Sequence, residues 1–276
     1  MNSFKARRHT FRLVLFFAAS GLFVLPGNVN QIEAQTIRTE SKNTTRWEWS
    51  DDGWRRRVEI QGKAEFTEDY SDVRSISERG FLRLEEDLKG QSQRLEVRPD
   101  QSGQLVRKYF VNGESRPLDE NGRKWVAALL LTAVRQGAID ADGRVKTILR
   151  QRGVKGVLEE IATIKGDRAK RIYFQALLKN ESLKRSDLQS VLEALRTQIS
   201  SDYDKANVLK QSVDLFLADS TLSKSYFQLI STIDSDYEQR QTLVVVLQKH
   251  NLSEAVLAQM LDSLAAISSD YEKANL

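Results

Sequence analysis

Ser201-Asp-Tyr-Asp204, Ser235-Asp-Tyr-Glu238 and Ser269-Asp-Tyr-Glu272 place one four-residue motif three times in the chain, with Tyr203, Tyr237 and Tyr271 34 residues apart. A period of about 20 to 50 residues marks stacked supersecondary units, none of which buries its apolar face alone. Ungapped alignment of the copies sets Ile199, Ile233 and Ile267 just ahead of the motif. It also sets Leu209 over Leu243, Val213 over Leu247, Leu222 over Val256, Phe227 over Leu261 and Ile230 over Leu264. Apolar character is kept at each of these positions.

Within a copy the apolar residues step by threes and fours, as in Leu243, Val246, Leu247 and then Val256, Met260, Leu261, Leu264. That is the period of two amphipathic helices, so each unit is expected to be a 34-residue helical hairpin in an α-solenoid. The break is expected near Asp219 to Thr221 in one copy and near His250 and Asn251 in the next, where short polar side chains compete for helical backbone hydrogen bonds. A weaker copy precedes these, with Ile164, Asp167 and Lys170 lying 35 residues before Ile199, Asp202 and Lys205. The array is expected to start by Leu158. Its restart at Ser269, so near Leu276, suggests an array that is incomplete or capped elsewhere.

The motif has a local explanation. Serine caps the third amide of a helix while Glu238 or Glu272 reaches back to the serine amide, the reciprocal capping box; Asp204 makes a shorter version. Asp202, Asp236 and Asp270 add negative charge to the first turn, which the helix dipole favours. The tyrosines either form a ligand-binding ladder or pack between units, and packing is the reading adopted, because a repeated position in a stack normally serves the stack.

Leu13 to Leu25 is an apolar run preceded by Lys5, Arg7, Arg8 and Arg12 and followed by Pro26-Gly27 and a polar stretch to Ala34. This patterning is that of a secretory signal peptide, too short for the ~20 residues a spanning helix needs. An uncleaved N-terminal anchor is the alternative. The protein is thus expected to be exported, periplasmic or extracellular, or else anchored to the inner membrane. Formal charge is +4, but without residues 1–34 the balance is 38 basic against 37 acidic residues. The basic character belongs to the targeting segment, and no nucleic-acid partner is expected. The absence of cysteine leaves the fold to its apolar core and suits a bacterial envelope.

All 14 glycines lie at or before Gly166 and all three prolines at or before Pro117. The glycine- and proline-free remainder suits an uninterrupted helical array. From Trp47 to Leu118 the pattern instead alternates. Val58, Ile60, Ala64 and Phe66, interrupted only at Gly62, then Leu82 with Leu84, Leu95 with Val97, and Leu105, Tyr109 and Val111 recur at period two between turn signals such as Lys89-Gly90 and Asn112-Gly113. Roughly four to six strands are expected, with Arg55, Arg57 and Glu59 outward. Asp119 or Asn121 opens a helix carrying Trp125, Val126, Leu129, Leu130 and Val134, followed by helical stretches around Arg144 to Arg150 and Val157 to Ile164. The chain is therefore expected to be α+β: signal peptide 1–34, linker 35–44, small antiparallel β-domain 45–118, connecting helices 119–165 and α-helical repeats 166–276.

Gly62-Lys-Ala-Glu-Phe-Thr-Glu-Asp-Tyr-Ser-Asp-Val73, Gly80-Phe-Leu-Arg-Leu-Glu-Glu86, Tyr109-Phe-Val-Asn-Gly113 and the Ser-Asp-Tyr copies together resemble a bacterial exported region. That region occurs alone or fused behind membrane metallopeptidases of the beta-lactam-sensor type, and the resemblance spans residues 45–276. It implies an envelope-facing module and supplies no functional residues. No His-Glu-x-x-His occurs, so the peptidase itself is not in this chain.

Chemistry is sparse. His9 and His250 are the only histidines, which cripples histidine triads and multi-imidazole zinc sites, and a helix-end His250 is not expected to be catalytic. Asp140-Ala-Asp-Gly143 resembles part of a calcium loop but lacks an acid at Ala138 and a glutamate at Leu149, so a turn is expected. Glu65, Glu68, Asp69 and Asp72 are the only candidates for a carboxylate-based enzyme or calcium site, and surface charge is the plainer reading. Trp47, Trp49 and Trp54 flank one turn, where they either stack a ligand or fill the core, and packing is the reading adopted. No catalytic or metal residue and no cofactor is expected. The function expected is a non-enzymatic interaction module whose solenoid binds an envelope protein or peptide. The alternatives are a sensing or regulatory ectodomain beside a membrane metallopeptidase, and an enzyme using those carboxylates.

Overall fold

Alternation at period two from residue 44 onward becomes a twisted antiparallel sheet in the computed structural model, which describes residues 34–41, 44–51, 53–249 and 252–276. The strands are β1 (Ala34–Ser41), β2 (Thr44–Asp51), β3 (Trp54–Gln61), β6 (Phe81–Leu88), β7 (Gln91–Pro99), β8 (Leu105–Val111) and β9 (Glu114–Arg116), ordered β1-β2-β3-β6-β7-β8-β9. β4 (Ala64–Phe66) and β5 (Val73–Ile76) form a separate hairpin between β3 and β6. β1 occupies the span expected as linker. The expected signal segment and His250 lie outside the described residues.

Register explains the core. Val58 pairs with Trp47 on one side and Leu84 on the other, Leu84 with Leu95, and Leu95 with Tyr109, a stripe of side chains on one face. Val58, Leu84 and Leu95 are wholly buried. Lys89-Gly90 and Asn112-Gly113 have positive φ at both residues, the geometry of the two-residue turn that matches strand twist. The alternation that runs on to Phe66 is not one strand: at Gly62, with φ +76, the chain turns out of the sheet into β4.

The opposite face of the sheet carries charges in lattice order. Arg57 bridges Glu48 at 3.4 Å and Glu85 at 2.9 Å, while Arg83 bridges Glu59 and Glu96, each at 3.3 Å. Glu59 is only 6% exposed, covered by its arginine neighbours.

Helix α1 (Glu120–Gly137) closes the apolar face. Asp119 caps it, accepting from the Gly122 amide at 2.8 Å, and Val126, Leu129, Leu130, Ala133 and Val134 face the sheet. Helix α2 (Ala141–Ala162) is broken at Gly153 (φ 64, ψ −168) into the two helical stretches that the sequence predicts. Then follow α3 (Asp167–Leu178), α4 (Arg185–Gln198), α5 (Asp202–Gln211), α6 (Val213–Leu217), α7 (Ser220–Ile230), α8 (Asp236–Leu247), α9 (Glu254–Leu264) and α10 (Asp270–Ala274). α3 packs on α5, α5 on α8 and α8 on α10, while α4 packs on α7 and α7 on α9.

The fold is thus α+β, an antiparallel sheet followed by helices, with a second apolar core between the helices that includes Tyr173, Phe174, Phe216, Tyr226, Leu209 and Leu243. The helix preceding α7 is interrupted at Ser212, whose hydroxyl donates to the Val208 carbonyl at 2.6 Å. The corresponding α8 is continuous. Between sheet and helices lies a buried ion cluster. Glu160, 3% exposed, accepts two bonds of 2.9 Å from Arg135 and further bonds from Arg144, whose guanidinium sits over the Tyr70 ring.

Candidate binding surface

The Ser-Asp-Tyr motif builds each helix start in the same way. Ser201, Ser235 and Ser269 accept from the amides of Asp204, Glu238 and Glu272 at 3.2, 3.3 and 3.3 Å, which is half of the expected capping box. The other half is absent, and the difference has a physical cause. The serine amides are already taken by an aspartate about one motif interval earlier: Asp167 Oδ2 accepts from the amides of Ser200 (2.9 Å) and Ser201 (2.7 Å) and from the Ser200 hydroxyl (2.6 Å). Asp202 Oδ2 accepts from the Ser235 amide at 2.9 Å, and Asp236 Oδ2 from the Ser269 amide at 2.8 Å. With that donor occupied, the acid at the fourth position pairs backward with a base on an earlier helix. Asp204 meets Arg171 at 2.6 Å, Glu238 meets Lys210 at 3.1 Å, and Glu272 meets Arg240.

These bonds show in the carboxylates. Burial pushes the Asp167 carboxyl upward, but the Ser200 hydroxyl, the Ser201 amide and Lys170 outweigh it and leave the pKa below its ordinary value. The Ser268 hydroxyl, with the Ser268 and Ser269 amides, lowers Asp236. The aspartates therefore tie α3 to α5, α5 to α8 and α8 to α10, a role beyond the dipole charge expected of Asp202 and Asp236.

The tyrosines do not. Tyr203, Tyr237 and Tyr271 are 58%, 52% and 72% exposed, which corrects the expectation that they pack between units. Helical geometry supplies the reason: successive residues turn by about 100°, so when Asp202 or Asp236 reaches the helix start one motif interval on, the tyrosine after it is turned off that contact. One turn on from each stand Asn207, Gln241 and Asn275, so that every copy offers an aromatic ring beside a side-chain amide. Asn207 and Asn275 donate to the carbonyls of Tyr203 and Tyr271, each at 2.7 Å. The Arg240 guanidinium lies 5.5 Å from the Tyr237 ring centroid. The 34-residue spacing was the available signal for this row, since a position kept without apolar company within its helix has an outward role.

The other sequence candidates are dispersed or enclosed. Glu65 bonds Ser75, Arg74 and Lys63, Glu68 bonds Arg150 and Gln151, and Asp72 bonds Arg107 at 2.9 Å. The Thr67 hydroxyl, then the Ser71 amide and hydroxyl, hold Asp69 at a pKa of about 2. Each acid is thus the centre of its own local contacts. Asp140 accepts from the Tyr70 hydroxyl at 2.9 Å and Asp142 pairs with Lys179 at 3.1 Å, so the aspartates of the calcium-like stretch have separate partners. Among the described residues no group of three or more His, Cys, Asp or Glu is placed to hold a metal ion. Trp49 is 2% exposed. A Cβ on Gly137 of α1 would lie 3.0 Å from Trp47 and 3.3 Å from Trp49, so the helix backbone covers the rings and fills the place of any stacked ligand. Trp54 carries the Arg56 guanidinium at 5.1 Å.

Charge is also sorted along the chain. Residues 202–276 hold six basic and eleven acidic residues, a net of −5, whereas residues 35–201 have a net of +6. No helix among the described residues is long and apolar enough to cross a membrane. No family model, no curated protein and no solved structure matches the chain.

Proposed function

We propose that this chain is a non-enzymatic, exported interaction module of the bacterial envelope, in which residues 166–276 form an α-solenoid of 34-residue hairpins that binds a protein or peptide. The resemblance of residues 45–276 to an exported region and the apolar N-terminal run motivate the location. The sheet domain at 45–118 and the connecting helices at 119–165 then serve as its base, joined to it in part by Tyr173, whose hydroxyl donates to the Val134 carbonyl at 3.0 Å. The observation that carries binding is the row of exposed Tyr203, Tyr237 and Tyr271, because a stack that only needed to hold itself together would not keep three rings in solvent. Stacked units extend such a row into a surface.

The test is cross-linking in intact cells with the full chain and with Y203A/Y237A/Y271A, followed by mass spectrometry. The proposal expects a defined envelope protein cross-linked to the wild type and lost from the triple variant at equal expression. An identical set of cross-linked proteins from both chains refutes it.

A further inference from the structure

We infer that α9 is a self-association face, on which a second copy of this chain packs its own α9 in antiparallel register about a two-fold axis at Leu261. The first support is the continuity of one helix layer. α4 packs on α7 and α7 on α9, so α7 is covered on both sides and buries Leu222, Phe227 and Ile230. α9 buries Val256, Met260 and Ser263, while Leu257, Ala258, Leu261 and Ala265 on its other side are exposed. Leu261 thus holds, at 61% exposure, the repeat position that Phe227 fills in a helix covered on both sides. Leu257, Leu261 and the half-buried Leu264 recur at spacings of four and three, the seam pattern of paired helices.

The second support is that this face complements itself. In an antiparallel pair centred on Leu261, residues equally far on either side of it in sequence stand level across the seam. Leu257 is then level with Ala265 of the second copy and Ala258 with Leu264, so each leucine off the axis has an alanine beside it, as close packing requires. The seam positions carry no charge. Glu254, at one end, is level with Ser268 of the second copy, and Asp262 is turned about 100° from Leu261. A two-fold contact of this kind uses the same patch on both copies and closes on itself. The patch is about three turns of one helix, smaller than a standard interface, which makes the dimer weak and reversible.

The experiment is sedimentation of the full chain from about 5 to 500 μM, with a monomer–dimer equilibrium expected in that range. L261D sets two carboxylates face to face on the axis and is expected to leave monomer alone, with unchanged circular dichroism because the residue is exposed; L261M is expected to keep the dimer. The chain has no cysteine, so L261C places a single thiol on the axis. Helices packed about 8–10 Å apart, with Cα atoms at a radius of about 2.3 Å, bring facing Cα atoms into disulfide range. L261C is therefore expected to oxidise to a covalent dimer about tenfold or more faster than A255C, whose thiol is exposed on the same helix but turned about 120° from the axis. A wild type that stays monomeric throughout the range, a dimer that L261D leaves intact, or equal oxidation of L261C and A255C overturns the inference. Partner capture through Tyr203, Tyr237 and Tyr271 is read by a different variant and a different assay, so the two proposals fail separately.

Discussion

Replacing Asp167 by alanine removes the carboxylate that receives the start of α5. The side chain is 14% exposed and accepts from the Ser200 amide and hydroxyl, the Ser201 amide and Lys170. A hydrogen bond to a charged group contributes about 1.5–3 kcal/mol, and a buried donor left without a partner costs about 1–3 kcal/mol. The bonds share one carboxylate and Ser200 is exposed, so water replaces part of the loss there. The Ser201 amide, shielded by the helix start, bears most of the cost. The expected destabilisation is about 2–3 kcal/mol, a fall in Tm of roughly 5–10 °C for a protein of this size. D167N keeps an oxygen acceptor without the charge and is expected to lose about half as much. Urea unfolding followed by circular dichroism, with an unchanged m-value, measures both. A D167A variant within about 0.5 kcal/mol of the wild type would refute the account of how these helices are joined.

Three other outcomes follow from the same structure. E160Q weakens the acceptor for Arg135 and Arg144 in a buried site and is expected to cost about 3 kcal/mol, read by urea unfolding. G80A places a Cβ 2.6 Å from the Gln61 carbonyl oxygen and 2.9 Å from that of Ser77, neither of which yields easily, and is expected to cost about 1–3 kcal/mol in the same assay. Asp167, Asp236 and Glu160 have folded-state pKa values below their ordinary 3.8, 3.8 and 4.5, so the folded protein binds fewer protons than the unfolded chain in that range. The stabilisation is present in full above about pH 4.5 and is lost as pH falls through the lowered values, and D167N should flatten the curve of Tm against pH.

Much of the fold is legible in the sequence because it depends on period. The alternation of Val58 with Ile60 and of Leu82 with Leu84 specifies one buried sheet face, and the threes and fours from Leu243 to Leu264 specify helices. Composition does not reveal where a strand leaves its sheet, so the turn at Gly62 is hidden within an alternation that continues to Phe66. The second motif copy shows a second limit. Phe227 is 2% exposed and its counterpart Leu261 61%; Val213 is 2% exposed and Leu247 41%. Equivalent residues have equivalent burial only where equivalent neighbours cover them, and α7 has both α4 and α9 against it. The tyrosines illustrate the third. Spacing identifies a position as repeated, but the side of the helix on which it stands depends on which neighbour the aspartate reaches, a contact that spans 33 residues.

The bonds between successive helix starts run one way. Asp167, Asp202 and Asp236 each precede, by about one motif interval, the serine amides that they receive, and Arg171 and Arg240 likewise precede Asp204 and Glu272. On the ribosome α5, α8 and α10 therefore each emerge after the acceptor for their serine amides has been made. Shortening the chain from its C-terminal end spares each remaining cap, whereas shortening it from the other side of the array leaves the new first helix with donors and no carboxylate. The direction of these bonds thus follows the direction of synthesis.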